Sequence, residues 1–194
     1  MGEFTSILDE EELCRISNLS NYLYPYGKPN LKAVKDCSVP YKSQKYPLSR
    51  DNVIYCKDVI VFRNNKNDWY KEIKENICCD VILTPAVSLR EKESTLMKED
   101  LKYKNIDGSL DFNGKEVLKN IIINAFNVAI INGKDSLVLG DFGIRSYYIN
   151  EDDVLEVFLD VLREYKNRFK KIIFVLPFNK KNYYKQFYKK FKGE

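Results

Sequence analysis

Ser136-Leu137-Val138-Leu139-Gly140-Asp141-Phe142-Gly143 is the stretch from which the rest of this chain is read. A short apolar run ends at two glycines three residues apart, and a helical pattern opened by acids begins at Glu151. That order predicts a buried strand, a glycine loop and a helix N-terminus. Such a loop gathers backbone N–H groups and the positive end of a helix dipole at one place, which suits a phosphate. The plainer reading is an ordinary strand-to-helix connection.

Moving outward, residues 172–176 form a second apolar run, stopped by Pro177, and residues 116–130 read as a helix closed by Asn132-Gly133. Residues 79–84 read as a buried strand stopped by Pro85, and residues 88–112 as a charged surface excursion with a turn at Asp107-Gly108. Residues 53–55 and 59–62 read as two short strands around a turn at Cys56-Lys57-Asp58. Thr5 or Ser6 would cap a single first helix carrying Leu13, Ile16 and Leu19, ended by Pro25, Gly27 and Pro29. Helices alternating with unbroken apolar strands predict an α/β fold with a mostly parallel sheet flanked by helices on both faces. With no repeat or low-complexity linker, one domain over 1–194 is expected, with a basic amphipathic helix at 179–192.

Composition narrows the chemistry. Of 194 residues, 44% are hydrophobic and 31% charged, enough to fold around a core. His is absent, so a His-dependent triad, a His proton shuttle and a His-ligated metal are excluded for this chain. The five cysteines are odd in number and lack a CxxC spacing, which predicts free, mostly buried thiols in a reducing compartment, with no metal. No signal peptide or membrane span is visible, so the chain reads as intracellular, cytoplasmic or nuclear. Net charge is only +4, yet the last seventeen residues carry six lysines against one glutamate. There Lys180, Lys181, Lys185, Lys189 and Lys190 interleave with Tyr183, Tyr184, Phe187, Tyr188 and Phe191. Lysines attract phosphates and aromatics stack on bases, so RNA is one candidate partner. The bland alternative packs the aromatics on the sheet and leaves the lysines in water.

The acidic run Asp9-Glu10-Glu11-Glu12 opens the first helix. Acids there favour the helix dipole for purely structural reasons. They are also what glycoside cleavage uses, since of two close carboxylates one can keep its proton and act as general acid.

Glu10-Glu11-Glu12-Leu13-Cys14-Arg15-Ile16-Ser17-Asn18-Leu19 resembles the Gln-Glu-Glu-x-Leu-x-Arg-x-Ser-x-Leu helix of the microbial-type poly(ADP-ribose) glycohydrolases, a macrodomain branch. Residues 53–63 resemble that family's Ile-Tyr-Ser-Pro-x-Val-x-Val-Phe-Arg segment, and Asp80-Val81-Ile82-Leu83-Thr84-Pro85-Ala86-Val87 its Val-Ile-Thr-x-Pro-Ala-Val strand. Residues 137–143 resemble Leu-Val-Leu-Gly-Ala-Trp-Gly. Four segments fall in the family's order. The resemblance implies a macrodomain-like fold, Glu11 as catalytic acid with Glu10 beside it, and Gly140, Phe142, Gly143, Arg145 and Tyr147 lining ADP-ribose or a related nucleotide. No further cofactor is implied.

The departures shape the expectation. The family's glutamates follow a strand and a Gly-Gly-Gly loop, whereas Met1-Gly2-Glu3-Phe4 stands before them here. Arg145 replaces the glycine that lets backbone approach the diphosphate; its guanidinium would either hold a phosphate or fill its place. The expectation is therefore a degenerate, N-terminally shortened relative that binds ADP-ribose, with hydrolysis the weaker expectation. The alternative is a non-enzymatic protein binding RNA or the ribosome.

Overall fold

The computed structural model describes residues 9–23, 48–90, 98–144, 146–165, 167–175, 185, 188, 189 and 192. The chain divides into two compact units, Met1–Leu83 and Thr84–Glu194.

In the first unit, helix α1 (Asp9–Ile16) is followed after two residues by α2 (Leu19–Leu23). The single expected helix is thus broken at Ser17-Asn18. The Ser17 hydroxyl donates to the Leu13 carbonyl and accepts the Leu19 N–H, ending one helix and capping the next. The Asn18 N–H donates to the Ile60 carbonyl at 3.1 Å, and the Ile60 N–H donates to Asn18 Oδ1 at 2.9 Å. Short polar side chains compete with helix bonding, and here a strand edge recruits them.

That strand is β1 (Ile54–Arg63), antiparallel to β2 (Glu72–Leu83). The turn expected at Cys56-Lys57-Asp58 is instead a β-bulge: Cys56 faces Val81 and Val59 faces Cys79, so β1 spends one residue more than its partner. Asp58 takes φ 56, and Asp80 steadies the bulge by accepting the Asp58 N–H at 2.9 Å and the Tyr55 hydroxyl. Leu19, Leu23, Cys56, Val59, Val81 and Leu83 make the core, with Leu13, Cys14, Tyr22 and Ile54 packed on it. Two cysteines correct the expectation of buried thiols: Cys78 and Cys79 are exposed, while Cys14 is half-buried and Cys56 buried. Cys37 lies outside the described residues.

The second unit also departs from expectation at once. Val87, Ser88, Leu89, Asp100 and Leu110 are buried, so residues 88–112 are not a surface excursion throughout. Asp100 turns inward because its carboxylate accepts the buried Ser88 N–H at 2.9 Å. A 3-10 turn, Lys98–Tyr103, leads to a tight turn where Gly108 takes φ 86, at the predicted place. Helix α3 (Phe112–Ile131) starts four residues earlier than its apolar pattern suggests, because Asp111 caps it through the Gly114 N–H at 2.7 Å. It ends at Asn132-Gly133 as expected, with Gly133 at φ 68.

Strand β3 (Ser136–Leu139), helix α4 (Glu151–Tyr165) and strand β4 (Lys171–Phe174) form a βαβ unit whose strands pair in parallel, Val138 beside Ile173. Leu118, Ile122 and Phe126 of α3 are buried, as are Leu155, Phe158 and Val161 of α4, and the two helices pack together. Of the two strand pairings described, one is parallel and one antiparallel. The expected burial of both sheet faces does not hold here, since Val138 and Ile173 are 69% and 41% exposed. The alternation of helices and strands made the α/β class readable, but which faces are covered depends on what packs there.

Candidate functional site

Glu10 and Glu11 lie on α1, both half-buried. Glu11 forms an i,i+4 ion pair with Arg15 at 3.8 Å, with both side chains about two-fifths exposed. Such a pair contributes little to stability and a ligand displaces it at small cost. Glu12, not singled out by the sequence, has a structural task. Its carboxylate accepts the Lys66 N–H at 3.2 Å and the Tyr70 hydroxyl at 3.1 Å, tying α1 to the loop between β1 and β2. At that loop's tip, Trp69 is 85% exposed and, like Tyr70, adopts a positive φ.

Cys14 shares the helix with these acids. Burial, then Glu10, Cys56 and Glu11, push its thiol from 9.0 up to about 11. The thiolate is the reactive form, so this environment opposes a nucleophilic role for Cys14.

In the second unit, Gly140, Phe142, Gly143 and Tyr147 share the loop from β3 to α4. Gly143 takes φ 98, and a Cβ there would sit 3.1 Å from Ile149 Cδ1 and 3.3 Å from Tyr147 Cδ2. Phe142 takes φ 45, unusual for a residue with a side chain, and its ring packs edge-on against Phe158 at 5.1 Å. Much of the loop's backbone bonds inward. Gly143 N–H donates to Asp141 Oδ1, Ile144 N–H to the Asp141 carbonyl, and the Tyr147 and Ile149 N–H groups to the Gly143 carbonyl. Leu89 N–H donates to the Tyr147 carbonyl at 2.9 Å, fastening the loop to the buried 87–89 segment. Buried Asp141 was missed by the sequence reading, although an Asp beside glycine is a turn signal.

The start of α4 is acidic as well. Asn150 Oδ1 accepts the Asp152 N–H, and Glu151, Asp152 and Asp153 occupy the first turn. Carboxylates already complement the helix dipole there, so a diphosphate near this end needs a cation. The loop's own cation, Arg145, lies outside the described residues. Asp153 is buried and accepts the Leu110 N–H at 2.7 Å, with Lys115 Nζ at 3.1 Å.

In the C-terminal segment Lys185, Tyr188, Lys189 and Lys192 are helical and exposed, and Lys192 Nζ lies 5.4 Å from the Tyr188 ring centre. Lys180, Lys181 and Lys190 lie outside the described residues. An open groove of about 540 Å³ between Lys98–Tyr103 and the start of α3 is lined by Lys102, Tyr103 and Glu116, and by none of the candidate residues. Among the described residues no group of three or more Cys, Asp or Glu could hold a metal ion, and no helix is long and apolar enough to cross a membrane.

The helix-and-strand pattern, the βαβ unit and its glycine loop define an α/β protein. Solved structures make the likeness particular: the fold is that of bacterial poly(ADP-ribose) glycohydrolases. The enzyme from Deinococcus radiodurans, solved in complex with ADP-ribose, matches with a TM-score of 0.64 at 19% identity, over 98% of this chain and 69% of that one. The enzyme from Thermomonospora curvata matches with a TM-score of 0.59 at 22% identity, over 88% of this chain and 55% of that one. No protein-family model and no curated protein matches the sequence.

Proposed function

We propose that this chain binds ADP-ribose or a closely related nucleotide on a glycohydrolase-like scaffold. In this reading the expected mostly parallel, helix-flanked sheet is the frame, Glu11 with Glu10 faces the ribose–ribose bond, and Gly140, Phe142, Gly143 and Tyr147 line the diphosphate and ribose. The observation that carries it is the fold likeness, over 98% of the chain, to a glycohydrolase solved with ADP-ribose. Paired carboxylates fit the chemistry: one donates a proton to the leaving oxygen and the other's charge steadies an oxocarbenium-like centre. The inward-bonded loop and acidic α4 start leave the phosphate grip to Arg145, which makes binding without efficient turnover the favoured form.

Calorimetric titration with ADP-ribose tests this. Saturable binding is expected, weakened roughly tenfold in Arg145→Ala by loss of a charge-assisted phosphate contact. Glu11→Gln should leave binding in place and remove any release of ADP-ribose from poly(ADP-ribose). No heat at millimolar ligand overturns the proposal. The exposed Lys185, Lys189 and Lys192 around Tyr188 favour the second reading, an RNA- or ribosome-binding protein. It requires RNA affinity that falls steeply with salt.

A further inference from the structure

Tyr148 belongs to the loop from β3 to α4, and the Arg90 guanidinium lies over its ring, 5.7 Å from the ring centre and within cation–π range. The backbone of Tyr148 is unusual for a large side chain. Its φ is 58, a left-handed conformation that glycine takes at no steric cost. The neighbours impose it. Tyr147 and Ile149 both donate their N–H groups to the Gly143 carbonyl, the Leu89 N–H takes the Tyr147 carbonyl, and the Ile149 side chain is buried. Between them Tyr148 stands 65% exposed, so its ring adds little to the core. What the ring does touch is Arg90. That arginine stands on a firm base, since Ser88 and Leu89 are buried and Asp100 accepts the Ser88 N–H at 2.9 Å.

We propose that Arg90, stacked on Tyr148, binds the diphosphate of the nucleotide as a second cation beside Arg145, an inference that rests on the ADP-ribose reading above. A diphosphate carries a negative charge on each phosphate. The N–H groups of Gly143, Ile144, Tyr147 and Ile149 bond within the loop, and the first turn of α4 holds Glu151, Asp152 and Asp153. Backbone and helix dipole therefore offer this anion little, and cationic side chains must supply the attraction. Arginine is suited to the place. Its guanidinium sets its flat face on an aromatic ring while its edge, with five N–H donors, meets oxyanions, so the ring contact and a bidentate phosphate contact are compatible. The ring also limits the orientations of the guanidinium, which lowers the cost of ordering it when the anion arrives. Leu89, the residue before Arg90, is bonded to Tyr147, which lines the ligand in that reading.

Calorimetric titration of the full chain with ADP-ribose and, separately, with inorganic pyrophosphate tests the site. Arg90→Gln should weaken binding of both roughly tenfold by loss of a charge-assisted contact. Arg90→Lys, which keeps the charge and loses the fork, should fall between. Tyr148→Gly accommodates the same φ, so its thermal unfolding should stay close to that of the unaltered chain while both affinities fall about threefold. Unchanged affinities in Arg90→Gln overturn the proposal and leave the ADP-ribose reading standing. Pyrophosphate binding that depends on Arg90, with ADP-ribose held no more tightly, supports the proposal and overturns that reading. No heat with either ligand overturns both.

Discussion

At Gly143 a single missing Cβ sets the shape of the candidate loop. Its φ of 98 is disfavoured for L side chains, and Ile149 and Tyr147 crowd the place a Cβ would take. Gly143→Ala should therefore cost about 1–3 kcal/mol, read by chemical denaturation. Cys14 makes a different prediction. Its folded-state value, about 11, lies above the ordinary 9.0, so stability should fall as pH rises through that interval and be unaffected below it. Cys14→Ala should flatten that alkaline slope in pH-dependent denaturation. Burial and the Glu10 charge also raise Cys56. Alkylation near neutral pH, followed by mass spectrometry, should thus find exposed Cys78 modified before Cys14 and Cys56. Gly143 could be picked out of the sequence because glycine marks special backbone. The state of Cys14 could not, because its acids and apolar neighbours meet it only in three dimensions.

Elements begin and end where a few polar side chains say so. Asp111 sets the start of α3, and Asp111→Ala should cost about 1 kcal/mol in thermal or denaturant unfolding. Asp153 carries more, because it is buried and serves both the Leu110 N–H and Lys115. Asp153→Ala leaves the buried Leu110 N–H without its partner, while Lys115 keeps Glu156 at 2.6 Å, and should cost about 2 kcal/mol, more than the cap. The glycine and proline stops were legible, as Gly133 and the turn at Gly108 show. The break at Ser17-Asn18 and the bulge at Asp58 were not. Each is a local choice settled by a distant partner, Ile60 in one case and Asp80 in the other.

At the scale of the molecule, stability should be uneven. Residues 72–79 of β2 are nearly all exposed, whereas α3 and α4 bury apolar faces against each other. Hydrogen exchange should release the amides of 72–79 well before those at the centres of α3 and α4. The candidate carboxylates belong to the first unit, on α1, and the glycine loop to the second, between β3 and α4.

Composition and period were enough to determine the α/β class, the strand–loop–helix from Ser136 and the helix before it, while the resemblance to glycohydrolases rested on four motif segments in order. These are local signals, carried by apolar spacing and by glycine, proline and capping residues. Tertiary structure alone decided the depth of the 87–89 segment, the length of β2, the exposure of Val138 and the inward bonding of the glycine loop. A backbone N–H or an apolar face looks the same in any sequence, whatever meets it. Only the folded chain shows whether that partner is another strand, a buried carboxylate such as Asp100 or Asp153, or water.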